Sequence, residues 1–265
     1  MRKTLLWILA IIITLGSAVY QRMTGPTYPL RGRVVFLDQE IKYRLPRSAE
    51  SNENRQVVVR LPENIADQVE GYLQFRRFRS DRPWNILAMK KEGNVLTGYL
   101  PKQPPAGKLE YLIHLVSNSR EISLTGESPV VIRFKGHVPA GLLLAHVIVM
   151  FTAMLLAVRA GLAALNRQED PSRLTKWTAI LFFIGGFILG AIVQKMAFGV
   201  LWSGFPLGTD LTDTKTLVAM LAWIAALRSG RRGAVKRGWV LAASIITLLT
   251  YLIPHSLFGS ELKNL

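Results

Sequence analysis

The chain has 265 residues, 50% of them hydrophobic, a formal net charge of +16 and no cysteine. The missing cysteine excludes disulfides, thiolate zinc sites, cysteine-ligated iron–sulfur clusters and covalent C-x-x-C-H haem attachment. The positive charge does not point to nucleic acid: part of it sits in short loops beside apolar runs, the rest is mixed with acids over 21–136, and neither a recognition helix nor an aromatic-basic motif accompanies it.

A bilayer core needs about 20 mostly apolar residues of helix. In chain order, the segments that meet or approach this are 4–20, 139–165, 177–201 and the shorter 211–227 and 239–254. The first follows Met1-Arg2-Lys3 and reads either as an uncleaved anchor or as a signal peptide cut after Ala18. In both cases the next segment is exported. Arg167, Arg173 and Lys176 lie between the second and third runs, and Arg228, Arg231, Arg232, Lys236 and Arg237 between the fourth and fifth. The segment 202–210 has no Lys or Arg. Loops rich in Lys and Arg stay in the cytoplasm, so the N-terminus, 166–176 and 228–238 are expected inside. The region 21–137, the loop 200–213 and the C-terminus from His255 are expected outside. Trp177, Trp202 and Trp239 fall at run ends, where interfacial aromatics belong.

The expected fold class is therefore a membrane protein. It has an α-helical bundle of about five transmembrane helices with an inserted all-β extracytoplasmic domain, in a bacterial inner (cytoplasmic) membrane. The expected divisions are an anchor over 1–21, a β domain over 22–137 and a four-span bundle over 138–265. Within the β domain, strands are expected at 33–37, 41–45, 57–61, 72–78, 86–89, 95–100, 109–116, 122–124 and 130–134, with turns at Glu92-Gly93-Asn94, Pro104-Pro105-Ala106-Gly107 and Ser117-Asn118-Ser119. This spacing predicts an antiparallel β-sandwich, immunoglobulin-like or fibronectin-like in architecture, although the Cys…Trp…Cys signature is absent. Such a fold serves more often for binding than for catalysis. His114, on the 109–116 strand, reads as a packed or surface histidine. No triad, HExxH motif, P-loop or carboxylate pair is visible, so an enzyme is not the favoured reading.

Polar groups within apolar spans are costly and mark function by default. His146 lies about seven residues into the second run, roughly 10 Å below its outer end at 1.5 Å per residue. Lys195, Asp210, Asp213, Lys215 and His255 also fall toward the expected outer side, while Arg159 lies toward the inner end, where its stem can snorkel. His137 is nine residues from His146, 2.5 helical turns, so the two face opposite ways. Gly186-x-x-x-Gly190 permits close helix packing.

Three stretches, in order, resemble the haem-handling proteins of cytochrome c assembly, which carry a tryptophan-rich outer loop flanked by histidines. The first is 142–165, LLLAHVIVMFTAMLLAVRAGLAAL, containing His146. The second is 198–228, FGVLWSGFPLGTDLTDTKTLVAMLAWIAALR, with Trp202, Gly208, Asp210 and Trp223. The third is Pro254-His255-Ser256. The resemblance covers roughly the C-terminal half. It implies His146 and His255 as axial haem ligands, with the loop from Trp202 to Asp213 as platform. Trp202 and Phe205 would cover a porphyrin face and Lys195 would meet a propionate. The loop has one tryptophan where the family has several, and the outer β domain departs from the family.

Three functions follow as expectations. The first is haem handling in cytochrome assembly. The second is a non-catalytic envelope scaffold or receptor subunit, anchored in lipid, whose β-sandwich binds a protein partner. The third is a transporter subunit with Asp210, Thr212, Asp213 and Lys215 lining a polar mouth.

Overall fold

The computed structural model describes residues 3–118, 120–230 and 234–254. They form two compact units: a β unit, Thr27–His137, and a helical unit made of the N-terminal helix together with the chain from Val138 onward.

The β unit holds three sheets. Strands β1 (Leu30–Phe36) and β2 (Gln39–Leu45) form an antiparallel ribbon. The largest sheet uses β3 (Ser48–Glu50), β5 (Glu70–Arg77), β6 (Asn85–Ala88), β9 (Lys108–Ser117), β10 (Arg120–Ser123) and β11 (Val130–Lys135), in the order β3-β11-β9-β5-β6 with β10 also on β9. The third sheet joins β4 (Arg55–Arg60), β8 (Val95–Leu100) and β7 (Lys90–Glu92), and a short helix α2 (Glu63–Ala66) follows β4. Alternation selects the core: on β9 the side chains of Leu109, Tyr111, Ile113 and Leu115 are buried at every second position. They pack with Ile41, Leu45, Leu73, Leu96, Ile132 and Phe134. The buried Tyr111 hydroxyl donates to the Pro46 carbonyl at 2.8 Å, so its polar end is satisfied. Opposite Tyr43 in the ribbon stands Gly32, and a Cβ there would lie 2.2 Å from the tyrosine oxygen. Only glycine lets the ring cross at this point.

In the helical unit, α1 (Lys3–Thr24), α3 (Ala140–Leu165) and α4 (Ser172–Phe183) are followed by a π turn (Ile184–Leu189) and α5 (Gly190–Phe198), then α6 (Leu211–Arg228) and α7 (Arg237–Leu252). The segments long and apolar enough to cross a membrane, among the described residues, are Lys3–Thr24, Ala140–Leu165 and Ser172–Phe198.

Two parts of the expected fold class are thereby corrected. Of the described residues 46% are helix and 26% strand, a mixed α/β fold with about three candidate spans rather than a five-span bundle. The 18-residue α6 places Asp213 and Lys215 near its start and Arg228 at its end, and α7 has only 16 residues. The second correction concerns the β unit, which is not the two-sheet antiparallel sandwich of immunoglobulin or fibronectin type. It has three sheets, and β3 runs parallel to β11. Strand alternation shows which face is buried but carries no information on which distant strand becomes the neighbour.

Packing in the helical unit is the reverse of that in the β unit. Its buried positions are mostly small or polar: Ala10, Thr14 and Ser17 on α1, Ala153, Ala157, Ala160 and Gly161 on α3, Thr175 and Thr178 on α4, Ser244 and Thr247 on α7. Its large side chains point outward, among them Leu5, Ile8, Ile12, Leu15, Leu144, Ile148 and Leu249. Small faces allow close approach: a Cβ on Gly161 would lie 2.3 Å from Ser244 Oγ. Helices α1 and α3 are antiparallel. Ala10 packs with Met154 and Val158, and the Arg159 guanidinium sits 5.3 Å from the Trp7 ring centroid. Thr24 and Ala140, between which the β unit is inserted, thus lie at one end of this pair. The opposite end is basic. There Arg237 Nη1 donates to the carbonyls of Ala163 (3.1 Å) and Asn166 (2.7 Å), a cation closing the C-terminus of α3. Near the same end Arg159 is buried, and its Nη2 pairs with Glu169 Oε2 of the segment after α3 at 2.6 Å.

Candidate functional site

The site begins with a glycine pair in the third apolar run. Gly185 and Gly186 fall in the π turn, where the hydrogen-bond ladder shifts and a carbonyl can be shared. A Cβ on Gly185 would meet Met150 Sδ at 2.6 Å, and one on Gly186 would meet Thr216 Cγ2 at 2.7 Å, so α3 and α6 both press against this turn. His146 Nδ1 lies 3.0 Å from the Gly185 carbonyl oxygen. A carbonyl only accepts, so Nδ1 carries the proton, and in the neutral ring Nε2 is left with a lone pair. This arrangement orients an imidazole for a ligand on its other nitrogen.

A cavity of about 310 Å³ opens beside that ring. Its polar wall includes His146, Gln194, Asp210, Asp213 and Thr216, with Gln21 and Tyr251 brought in from α1 and α7. Val147, Met150, Phe151 and Val193 supply the apolar part. These residues come from the end of α1, the start of α3, the end of α5, the start of α6 and the end of α7. The cavity therefore belongs to the end of the helical unit that carries Thr24 and Ala140.

Asp210 is the N-cap of α6. Its Oδ1 accepts from the Thr212 amide at 2.7 Å, the role its residue type predicts. Asp213, one turn on, binds the loop before α6. Its Oδ2 accepts from the Ser203 amide (2.6 Å), the Gly204 amide (3.1 Å), the Ser203 hydroxyl (3.3 Å) and Gln194 Nε2 (2.8 Å). Gly204 is needed there, because a Cβ would lie 2.5 Å from the Asp213 side chain. Lys215 is buried and its Nζ donates to the Ile253 carbonyl at 2.5 Å, tying α6 to the end of α7.

Of the residues proposed from sequence, His146, Asp210, Thr212 and Asp213 line the cavity. Lys195 is exposed on α5 and, among the described residues, forms no ion pair with an acid. Trp202 stacks on Phe187 with centroids 5.4 Å apart and donates Nε1–H to the Phe205 carbonyl at 3.1 Å. Phe205 is exposed, and neither aromatic borders the cavity. His255 lies outside the described residues. The described residues therefore supply one nitrogen and no platform. Gln194 is uncharged, so the cost of burying ionisable groups in an apolar run does not single it out. A lone glutamine within an apolar run was the available signal. Gln21 and Tyr251 reach the cavity only through tertiary packing.

The β unit holds a second polar cluster. His114 stacks on Tyr72 with centroids 4.7 Å apart and planes 2° apart, and its Nδ1 lies 2.8 Å from Glu121 Oε1. The Tyr72 hydroxyl donates to the same oxygen. Partial burial and that bond push the Tyr72 hydroxyl up to about 12. The tyrosine donor, with a smaller contribution from His114, holds the Glu121 carboxyl below its usual range.

No protein-family model matches the chain, and no curated protein matches it.

Proposed function

We propose that this chain is a receptor subunit of a bacterial cytoplasmic membrane, with its N-terminus inside and the β unit outside. In this reading the β unit engages a protein partner and the cavity receives a ligand. The reversed packing of the helical unit carries the membrane assignment. Small and polar residues lie between its helices and large apolar side chains face outward, which suits a hydrocarbon solvent rather than water. Orientation follows from charge. The end with Lys3, Arg167 and Arg173, at the inner ends of the candidate spans, is the cytoplasmic one. The cavity and both connections to the β unit then fall on the outer side.

The chain has no native cysteine, so single cysteines report topology directly. In intact cells a membrane-impermeant maleimide should label Asn52→Cys in the β unit, and should label Arg167→Cys only after lysis. The opposite pattern, or labelling of both in intact cells, overturns the reading. Haem handling makes a different prediction: a Soret band in the purified protein that disappears in His146→Ala.

A further inference from the structure

The open atoms of the cavity share one chemical character. Asp213 is 6% exposed, yet only its Oδ2 is engaged; among the described residues no donor reaches Oδ1. Gln194 spends both of its bonds through Nε2, on Ser203 Oγ and Asp213 Oδ2 (2.8 Å each), which leaves Oε1 as an acceptor. His146, with its proton on Nδ1, presents the Nε2 lone pair. All three side chains line the same cavity, and all three open atoms accept. Among the described residues no ion pair compensates the Asp213 charge. Lys215, the nearby buried cation, turns its ammonium to the Ile253 carbonyl. A buried carboxylate without a counter-charge is costly. A ligand that donates hydrogen bonds and carries positive charge relieves that cost, whereas an anion would aggravate it. The rest of the wall, Val147, Phe151 and Val193, is apolar and takes a hydrocarbon body. The volume is at the small end of the range for ligand pockets.

We infer that this cavity is a binding site for a small amphiphilic organic cation, a protonated amine or guanidinium on an apolar body. The cationic head sits among Asp213 Oδ1, Gln194 Oε1 and His146 Nε2. This rests on the receptor reading above and names the class of ligand for it.

The test uses the full chain purified in detergent and three probes with similar apolar bodies: 2-phenylethylamine, 2-phenylethanol and phenylacetate. Calorimetry or ligand-induced thermal shift should rank the amine first, with the alcohol weaker by roughly ten-fold and the carboxylate without detectable binding. Asp213→Asn should weaken the amine by about a hundred-fold. Because Asp213 also holds the loop at Ser203 and Gly204, a second variant guards against misfolding. Val193→Phe fills the cavity from its apolar side, leaves the Asp213 bonds in place and should abolish amine binding while the unfolding temperature stays near that of the unaltered chain. Equal binding of all three probes, preference for the carboxylate, or amine binding undiminished in both variants overturns the inference. If no probe binds while Asn52→Cys is labelled from outside, the ligand class is wrong and the topology stands. If the labelling pattern is reversed, the receptor reading itself fails.

Discussion

The β unit and the helical unit solve the same packing problem with opposite materials. In the β unit, Leu45, Leu73, Leu96, Tyr111 and Phe134 go inside, and charged side chains such as Arg31, Arg33 and Lys42 stand outside. In the helical unit, alanine, serine and threonine go between helices while leucine and isoleucine face out. The first pattern is driven by expulsion of apolar surface from water. In the membrane setting proposed above the second gains nothing from that force, and works through close backbone approach and hydrogen bonds between helices, such as Trp223 Nε1–H to Thr247 Oγ1 at 2.8 Å. Polar groups accordingly mean different things in the two units. At the surface of the β unit they meet water, whereas in the helical unit each one needs a named partner or a ligand.

The sharpest way to break this comparison is to remove a large side chain from one unit and a charge from the other. Phe134→Ala should cost about 3–5 kcal/mol in the β unit through lost burial and a cavity. An effect under about 1 kcal/mol, read from thermal or denaturant unfolding of the full chain, would mean that the unit has no water-type core. In the helical unit, Arg159→Leu leaves Glu169 buried without its partner and should cost about 3–5 kcal/mol. Adding Glu169→Leu should recover most of that loss. If the double variant is as unstable as the single one, the pair is not the reason Arg159 is buried.

Smaller substitutions sharpen the contrast. Gly161→Ala, which favours an exposed helix by propensity, should instead destabilise by about 1–3 kcal/mol, because its Cβ would collide with Ser244. A stabilised variant in a detergent melt would show that α3 and α7 do not approach so closely. Asp210→Ala should cost about 1 kcal/mol or more in a thermal melt, through loss of the α6 N-cap and of the carboxylate near the buried Lys215.

The smallest expected effect is in the β unit and depends on pH. Glu121 titrates lower in the folded state than in the unfolded chain, chiefly because Tyr72 donates to it. Its contribution is therefore present above the ordinary glutamate range, near about 4.3, and is lost as pH falls through the depressed folded value. Glu121→Gln should remove that acid-side slope from the pH dependence of unfolding. An unchanged slope would assign the acid sensitivity to other carboxylates.

Much of this division was already legible in the chain. Long apolar runs separated by basic loops marked the helices, and two-residue alternation in Ile41-Lys42-Tyr43-Arg44-Leu45 and in Val130-Val131-Ile132-Arg133-Phe134 marked strands that the fold contains. Periodicity is a local property, so local sequence carries it. It misjudged 211–227 and 239–254 as spans because short apolar runs of that length also suit helices packed within a unit. Strand partners were beyond its reach. The parallel contact of β3 with β11 joins residues more than eighty positions apart, and side-chain alternation is the same whichever neighbour is chosen.

The candidate site divides along the same line. Sequence alone determined that His146 and Asp210 are polar groups in or beside an apolar span, because burying them in hydrocarbon is costly wherever they point. Only the tertiary structure decided that they share a cavity with Gln21, Gln194 and Tyr251 while Trp202, Phe205 and Lys195 stand away from it. That outcome depends on how closely the helices approach at Gly185 and Gly186, and on the π turn that brings the Gly185 carbonyl to His146. Such contacts are made between segments, and no single segment encodes them.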